Sequence, residues 1–121
     1  TFLAVGAPFD GPGRTRVYEL RVSSWTQLGS DIDGEIRNDQ SGISVDLVKS
    51  DDGNLVLAVG EIGANTSFGN VRVYHSSFSD NPTTRTWRKF GADINGKSKE
   101  SFGQSVSLAK SGKAIAVGGH R

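Results

Sequence analysis

The chain has 121 residues, of which 16 are glycine and 35% are hydrophobic, a composition typical of many short strands and turns. Its 14 basic and 13 acidic side chains leave a net charge of +1, so we expect no nucleic-acid partner, because phosphate backbones attract strongly basic surfaces. Without cysteine, and without a run of roughly 20 apolar residues, the sequence excludes disulfides, thiolate metal sites and insertion of this segment into a membrane.

The predicted elements are all strands. Turn residues separate nine of them, at residues 2–7, 15–22, 25–28, 42–48, 55–60, 70–75, 86–90, 103–109 and 114–118. Apolar and polar residues alternate in strand 42–48, so one of its faces should be buried. Strand 55–60 is apolar on both faces and should be covered from both sides. The charges around Trp87 in strand 86–90 are typical of an outer edge.

The strands belong to a sequence repeat with units at about residues 1–60 and 61–118. LAVG at residues 3–6 returns at 57–60 and, as IAVG, at 115–118. Aromatic residues and glycines recur in phase with these runs: Trp25, Trp87, Tyr18, Tyr74, Gly6, Gly60, Gly118, Gly42 and Gly103. A large aromatic residue at one fixed position per unit is expected to pack between adjacent units, so we interpret these residues as a repeated framework.

Four antiparallel strands per unit, with the second covered on both sides, indicate a β-propeller of four-stranded antiparallel blades. Residues 1–121 would form part of one propeller and cover about two blades. An isolated blade leaves an apolar face, so the expected partners are neighbouring blades of the same propeller or other copies of the chain. Because the chain begins and ends within the same strand of the repeat, we favour a portion of a larger propeller.

A family resemblance supports this architecture. FGQSVSL at residues 102–108, SGK at 111–113 and IAVG at 115–118 resemble the FG-GAP repeat of integrin-type β-propellers. WTQLGSDIDGE at residues 25–35 is similar to tandem repeats of large surface or secreted proteins of bacteria and algae. The likeness covers essentially the whole chain, and it implies a β-propeller located outside the cell or at its surface.

The resemblance does not extend to calcium. Integrin-type blades often hold Ca²⁺ in an aspartate-rich loop after the first strand, whereas this chain has SDDG at residues 50–53 and KSGK at 110–113, which lack the oxygen ligands.

The best remaining metal candidates are Asp31, Asp33, Glu35 and Asp39, whose carboxylates surround a glycine turn. The matching loop of the second unit contains Lys97, which opposes cation binding. We therefore expect no cofactor, and a solvated turn in which Asp31 and Asp93 accept hydrogen bonds from backbone amides.

The sequence contains no recognisable catalytic set. His75 and His120 have no second imidazole at ligand spacing, and no serine lies in a Gly-x-Ser-x-Gly elbow. We therefore expect a non-catalytic extracellular or cell-surface propeller that binds a protein or glycan, or mediates adhesion. Two alternatives stay open: a structural subunit of a surface filament or coat, and a carbohydrate-active propeller enzyme whose carboxylate pair is invisible to sequence spacing.

Two loops are candidates for the binding surface. The connections between the second and third strands of each unit, around Gly11 and Gly63, differ in length and chemistry between the copies, and variable loops commonly carry function. The second of these loops includes Asn65, which begins the sequon Asn-Thr-Ser and is a candidate glycosylation site in a eukaryotic secreted protein.

Overall fold

The computed structural model describes residues 1–63, 68–77 and 85–120. These residues form strands, turns and bends, so the predicted all-β class is confirmed. The strands are β1 (Phe2–Ala7), β2 (Arg14–Arg21), β3 (Ser24–Gln27), β4 (Ile32–Asp33), β5 (Ser44–Lys49), β6 (Leu55–Glu61), β7 (Asn70–Ser76), β8 (Arg88–Lys89), β9 (Ile94–Asn95), β10 (Ser105–Leu108) and β11 (Ile115–Gly118).

The strands form three antiparallel sheets. In the first sheet the order is β1-β2-β3, with β4 also paired to β2. The central sheet has the order β5-β6-β7-β8, with β9 also paired to β7. The third sheet consists of β10 and β11. From β1 to β3, from β5 to β8 and from β10 to β11, consecutive strands lie side by side, as short connections favour, whereas β4 and β9 return to pair with β2 and β7.

Six of the nine predicted strands lie within one residue of the observed bounds, and the other three are shorter. The strands predicted at 42–48 and 103–109 begin only at Ser44 and Ser105, because Gly42 and Gly103 have φ angles of +92° and +99°. A φ in this range turns the chain and interrupts an extended strand. The strand predicted at 86–90 narrows to β8, which pairs with β7 at two positions.

The two-residue strands β4 and β9 were not predicted. Each follows a glycine turn. β4 pairs with β2, where Thr15 lies opposite Ile32, and β9 pairs with β7, where Val71 lies opposite Ile94. Strands of two residues are too short to show alternation of apolar and polar residues, which explains why the sequence did not reveal them.

Strand β6 lies at the centre of the molecule, and all seven of its residues are buried. The core combines residues of the first and central sheets: Val17, Leu28, Ile32, Leu55, Leu57 and Val59. Strand β1 has nearly the same sequence as part of β6, yet Leu3 and Val5 are 43% and 45% exposed. The two strands differ in burial because the described residues place a neighbouring sheet on both faces of β6, whereas one face of β1 is open.

Glycine sets the distance between neighbouring sheets. A Cβ atom on Gly6 would lie 2.0 Å from the carbonyl oxygen of Gly42, and one on Gly60 would lie 2.1 Å from that of Gly103. The same type of contact thus joins the first sheet to the central one and the central sheet to the third. These close backbone contacts supply a physical reason for glycine at the in-phase positions.

Candidate functional site

The candidate binding surface lies where the connections between strands meet at one end of the sheets. The amide of Ser41 donates to the carbonyl of Pro12 at 3.1 Å, and the amide of Gly63 donates to the carbonyl of Asp39 at 3.0 Å. In the second unit, the amide of Phe102 donates to the carbonyl of Phe68 at 3.1 Å. We define this loop end as residues 8–13, 34–43, 62–63, 68–69 and 96–104.

Three apolar side chains are exposed at the loop end. Phe9 is 81% exposed, Ile36 is 55% exposed and Phe68 is 43% exposed. Phe9 and Phe68 lie in the connections β1–β2 and β6–β7, the same two loops in which the sequence predicted a binding surface. These loops were predicted from their differences in length and chemistry between the copies. Their aromatic residues were not predicted, although phenylalanine in an otherwise polar loop was a usable signal.

The metal candidates Asp31 and Asp33 are paired with arginines. The Asp31 carboxylate accepts hydrogen bonds from Arg16 Nε at 2.8 Å, from Arg16 Nη2 at 3.2 Å and from the Gln27 amide at 2.7 Å. Arg14 Nε donates to Asp33 at 2.7 Å. The expectation that Asp31 bonds to backbone amides was therefore wrong, because strand β2 directs two arginines at the carboxylates of the following loop.

The other two candidates do not join this pair. Glu35 is 61% exposed on its side chain and lies 3.4 Å from Arg72, whereas Asp39 is only 6% exposed. Across the described part of the chain, no three His, Asp or Glu side chains form a group that could hold a metal ion. The structure thus separates Asp31 and Asp33, which both contact Arg14, from Glu35 and Asp39.

A second, more deeply buried ion network lies in the central sheet. Arg72 on β7 is 6% exposed and donates through Nη1 to Glu61 at 2.8 Å and through Nε to Asp93 at 3.1 Å. Lys89 also contacts the Asp93 carboxylate. Asp93, like Asp31, was expected to bond to backbone amides, and its observed side-chain partners correct that expectation.

The surroundings of this network shift the pKa values of its acids in opposite directions. Burial raises the pKa of Glu61, and attraction to Arg72 offsets only part of that rise because the carboxylates of Asp39 and Asp93 lie nearby. Burial also opposes ionisation of Asp93, but hydrogen bonds from Lys89 and Arg72 outweigh it and lower the pKa of Asp93.

The two ion networks occupy matching positions. Arg16 and Asp31 in the first unit correspond in sequence to Arg72 and Asp93 in the second. Arg16 lies on β2 and binds the aspartate that follows β3. Arg72 lies on β7 and binds the aspartate that follows β8. This pairing was not predicted, although the recurrence of one arginine and one aspartate in phase in each unit could have suggested it.

The two in-phase tryptophans differ in their surroundings. Trp87 is partly buried against the core, and its Nε1–H donates to the carbonyl of Leu28 at 3.1 Å. This contact joins the second unit to the first, as packing between adjacent units predicts. Trp25, by contrast, is 48% exposed. Of the in-phase tyrosines, Tyr74 packs partly buried against the core and Tyr18 is half-buried.

The glycosylation candidate Asn65 lies outside the described residues. Of the two histidines, His75 packs its ring against Phe90 with a centroid distance of 5.0 Å.

No protein-family model matches the chain, and a search of curated proteins found no match. Among the described residues there is no helix with the length and apolar character needed to cross a bilayer.

Arg16 and Asp31 form a partly exposed ion pair that affects the titration of Asp31. Hydrogen bonds from Arg16 and Gln27 lower the pKa of Asp31 to about 2. Because this pKa lies below the ordinary value, the pair stabilises the fold at neutral pH, and that contribution is lost as the pH falls towards 2. We expect Arg16→Met to move the carboxyl titration of Asp31 upwards, measured by the pH dependence of its carboxyl carbon in NMR spectra.

The matched control for this titration is Arg21→Met, which removes an arginine of the same strand that pairs with Glu19. This control should leave the Asp31 midpoint in place. An Asp31 midpoint that is unchanged by Arg16→Met would show that the pair does not set its pKa.

Proposed function

We propose that the chain is part of a β-propeller with four-stranded antiparallel blades, and that it serves as a non-catalytic binding or adhesion module at a cell surface or outside the cell. Three features support the architecture. The central sheet has the strand order β5-β6-β7-β8, β6 is covered on both faces, and the flanking sheets contact the central one through matching glycines. The resemblance to FG-GAP repeats suggests the location.

The main support for a binding role is that residues repeated in phase pack within the fold, whereas apolar residues of the variable loops are exposed. In-phase residues are engaged in packing, as Trp87 is on Leu28 and Gly60 is on Gly103. The apolar side chains of Phe9 and Phe68, in contrast, project from loops that differ between the units. Exposed aromatic residues contribute much of the binding energy of protein interfaces and also stack on sugars, so this loop end suits a protein or glycan ligand.

The ion pairs favour binding over hydrolysis. A glycosidase needs one carboxyl group that stays protonated near neutral pH and a second carboxylate facing it. Hydrogen bonds from arginines instead lower the pKa values of Asp31 and Asp93 and favour their ionised forms. Glu61, whose pKa is raised, is only 3% exposed and is bound by Arg72, so none of these three acids is well suited to donate a proton to a leaving group.

The test is a binding screen of the 121-residue chain on a glycan array and on immobilised extracellular-matrix proteins. We expect at least one ligand, whose signal falls at least about tenfold, or roughly 1.4 kcal/mol, in Phe9→Ser and Phe68→Ser variants. Val22→Ser is the matched control, because Val22 is fully exposed in the β2–β3 turn at the opposite end of the first sheet.

Each other outcome of the screen contradicts the proposal. Hydrolysis of an arrayed glycan would favour the carbohydrate-active alternative. Growth of the purified chain into long polymers with no ligand bound would favour the structural filament or coat. Equal loss of signal in the Val22→Ser control would place the binding surface away from the loop end.

A further inference from the structure

The third sheet lies beside an open apolar cavity of about 460 Å³. Its walls come from the central sheet, through Val73 and Phe90, and from the third sheet, through Leu108 and Ile115. The turn from Gly112 to Ala114 closes one side. Phe90 is 54% exposed, which is unusual for a large aromatic side chain against a cluster of apolar residues.

The first unit contains the matching site in a filled form. The four apolar wall residues correspond in the repeat to Val17, Leu28, Leu47 and Leu57. Val17, Leu28 and Leu57 are each at most 1% exposed, and they belong to the core against which Leu47 and Trp87 pack. The filled site is therefore covered in part by Trp87, a residue of the following unit, and the described residues place no counterpart of Trp87 at the open site.

The backbone that receives this tryptophan is held in the same way at both sites. The amide of Leu28 donates to the carbonyl of Val17 at 2.7 Å, and the amide of Phe90 donates to the carbonyl of Val73 at 2.6 Å. The Trp87 indole binds the carbonyl of Leu28. The matching carbonyl of Phe90 is thus positioned to accept a second indole N–H.

The glycines that follow Leu28 and Phe90 differ in what lies beside them. A Cβ atom on Gly29 would lie 3.0 Å from Trp87 Nε1. A Cβ atom on Gly91, the matching residue, would have no neighbour within 4 Å. The surface beside Gly91 is therefore open where the surface beside Gly29 is covered.

A free strand edge borders the cavity. Strand β6 pairs with β5 on one side and with β7 on the other, where seven residue pairs run from Leu55 opposite Ser76 to Glu61 opposite Asn70. Its counterpart β11 pairs with β10 and, within the residues that the structure describes, with no other strand. An open strand edge is a template for adding a further strand.

We propose that the β11 edge and the adjoining cavity form a docking site for a β-hairpin of the same repeat, equivalent to β2–β3, whose tryptophan enters the cavity at Phe90 and Gly91. The β2–β3 hairpin has the required layout. Trp25 lies opposite Leu20 near the turn of this hairpin. Trp87 has the matching position after β7, because the cross-strand pair Tyr18–Gln27 corresponds in the repeat to the pair Tyr74–Lys89. This inference rests on the blade architecture of the proposed function and not on its ligand binding at the loop end.

The first experiment adds a synthetic peptide of residues 13–30 to the isotope-labelled 121-residue chain. We expect NMR shift changes at Phe90, Gly91 and Ile115, with new protection of the β11 amides against exchange. A Trp25→Ala peptide should bind at least about tenfold more weakly, and a Val22→Ser peptide should bind as well as the parent sequence. Binding that is indifferent to Trp25→Ala, or shifts confined to other surfaces, would overturn the proposal.

A second experiment covers the case in which the free hairpin does not fold, since isolated hairpins are only marginally stable in water. Because Gly118 corresponds to Gly6, a second copy of residues 7–34 can be joined in register directly after Gly118. We expect the extended chain to unfold at a higher denaturant concentration and to protect the indole N–H of the added tryptophan. An alanine at that position should abolish most of the gain.

An appended segment that leaves the denaturation midpoint unchanged and its indole exposed would show that no docking site exists there. Ligand binding at the loop end would be unaffected by that result, so failure of this inference and failure of the proposed function can be told apart.

Discussion

Replacing Arg72 by methionine should destabilise the protein by about 3–5 kcal/mol, the usual cost of breaking a buried ion pair by removing one partner. Arg72 is 6% exposed and Glu61 is 3% exposed, so the variant would leave Glu61 buried without its cation. A loss of this size is a large fraction of the 5–15 kcal/mol that typically separates folded from unfolded domains. Equilibrium denaturation with urea measures the change.

The effect of Arg72→Met should also depend on pH. Burial raises the pKa of Glu61, and without Arg72 that pKa rises further because the carboxylates of Asp39 and Asp93 remain close. A carboxyl group with a raised pKa favours the folded state when protonated, so its stabilising effect is lost as the pH rises through that pKa. The loss in Arg72→Met should therefore be smaller at about pH 5 than at about pH 8.

Arg16→Met is the matched control for this prediction, because Arg16 occupies the same position of the first unit in an exposed ion pair. Solvent screens exposed ion pairs, so the control should lose far less stability than Arg72→Met. Adding Glu61→Gln to Arg72→Met should recover part of the stability by removing the unpaired charge. Equal losses in the two arginine variants would contradict the burial argument.

Replacing Gly60 by alanine should cost about 3 kcal/mol or more, since the new methyl group would lie 2.1 Å from the carbonyl oxygen of Gly103. A backbone carbonyl cannot rotate away as a flexible side chain can. The third sheet would have to move from the central one, which also disturbs the hydrogen bond from Ser44 Oγ to Gly103 at 2.7 Å. Thermal and urea denaturation would both report the loss.

The control for Gly60 is Gly91→Ala. Gly91 has a φ of +87°, and a Cβ atom there would meet no neighbour within 4 Å. Its substitution should cost only the conformational penalty of about 1–2 kcal/mol. A Gly60→Ala variant as stable as the parent chain would show that the central and third sheets are not in close backbone contact.

The sequence predicted the longer strands because their residues carry periodic information. Strand β6 has apolar residues on both faces and is buried on both. Turn residues at 51–54 separate the strands predicted at 42–48 and 55–60, and Gly53 has a φ of +88° there. Strands β4 and β9 escaped prediction, since two residues cannot show a period and their pairing depends on where the preceding glycine turn directs the chain.

The candidate site was harder to predict than the strands. Glu61 and Arg72 meet because Val59 lies opposite Arg72 and Glu61 opposite Asn70, so the pair is diagonal across two strands and depends on their register. The recurrence of Gly60 indicated a framework position, but only the stacking of the sheets shows that it lies against Gly103. The distinction between Trp25 and Trp87 likewise depends on what covers each sheet.

We propose that successive units pack through one type of tryptophan contact, which Trp87 makes with Leu28 and for which the half-exposed Trp25 has no preceding unit among the described residues. Hydrogen exchange of the two indole N–H groups, followed by NMR in a dilute sample of the 121-residue chain, tests it most directly. The indole of Trp87 donates to Leu28 and should exchange only when the structure opens, whereas that of the half-exposed Trp25 should exchange far faster. Equal exchange rates, or faster exchange at Trp87, would contradict the claim.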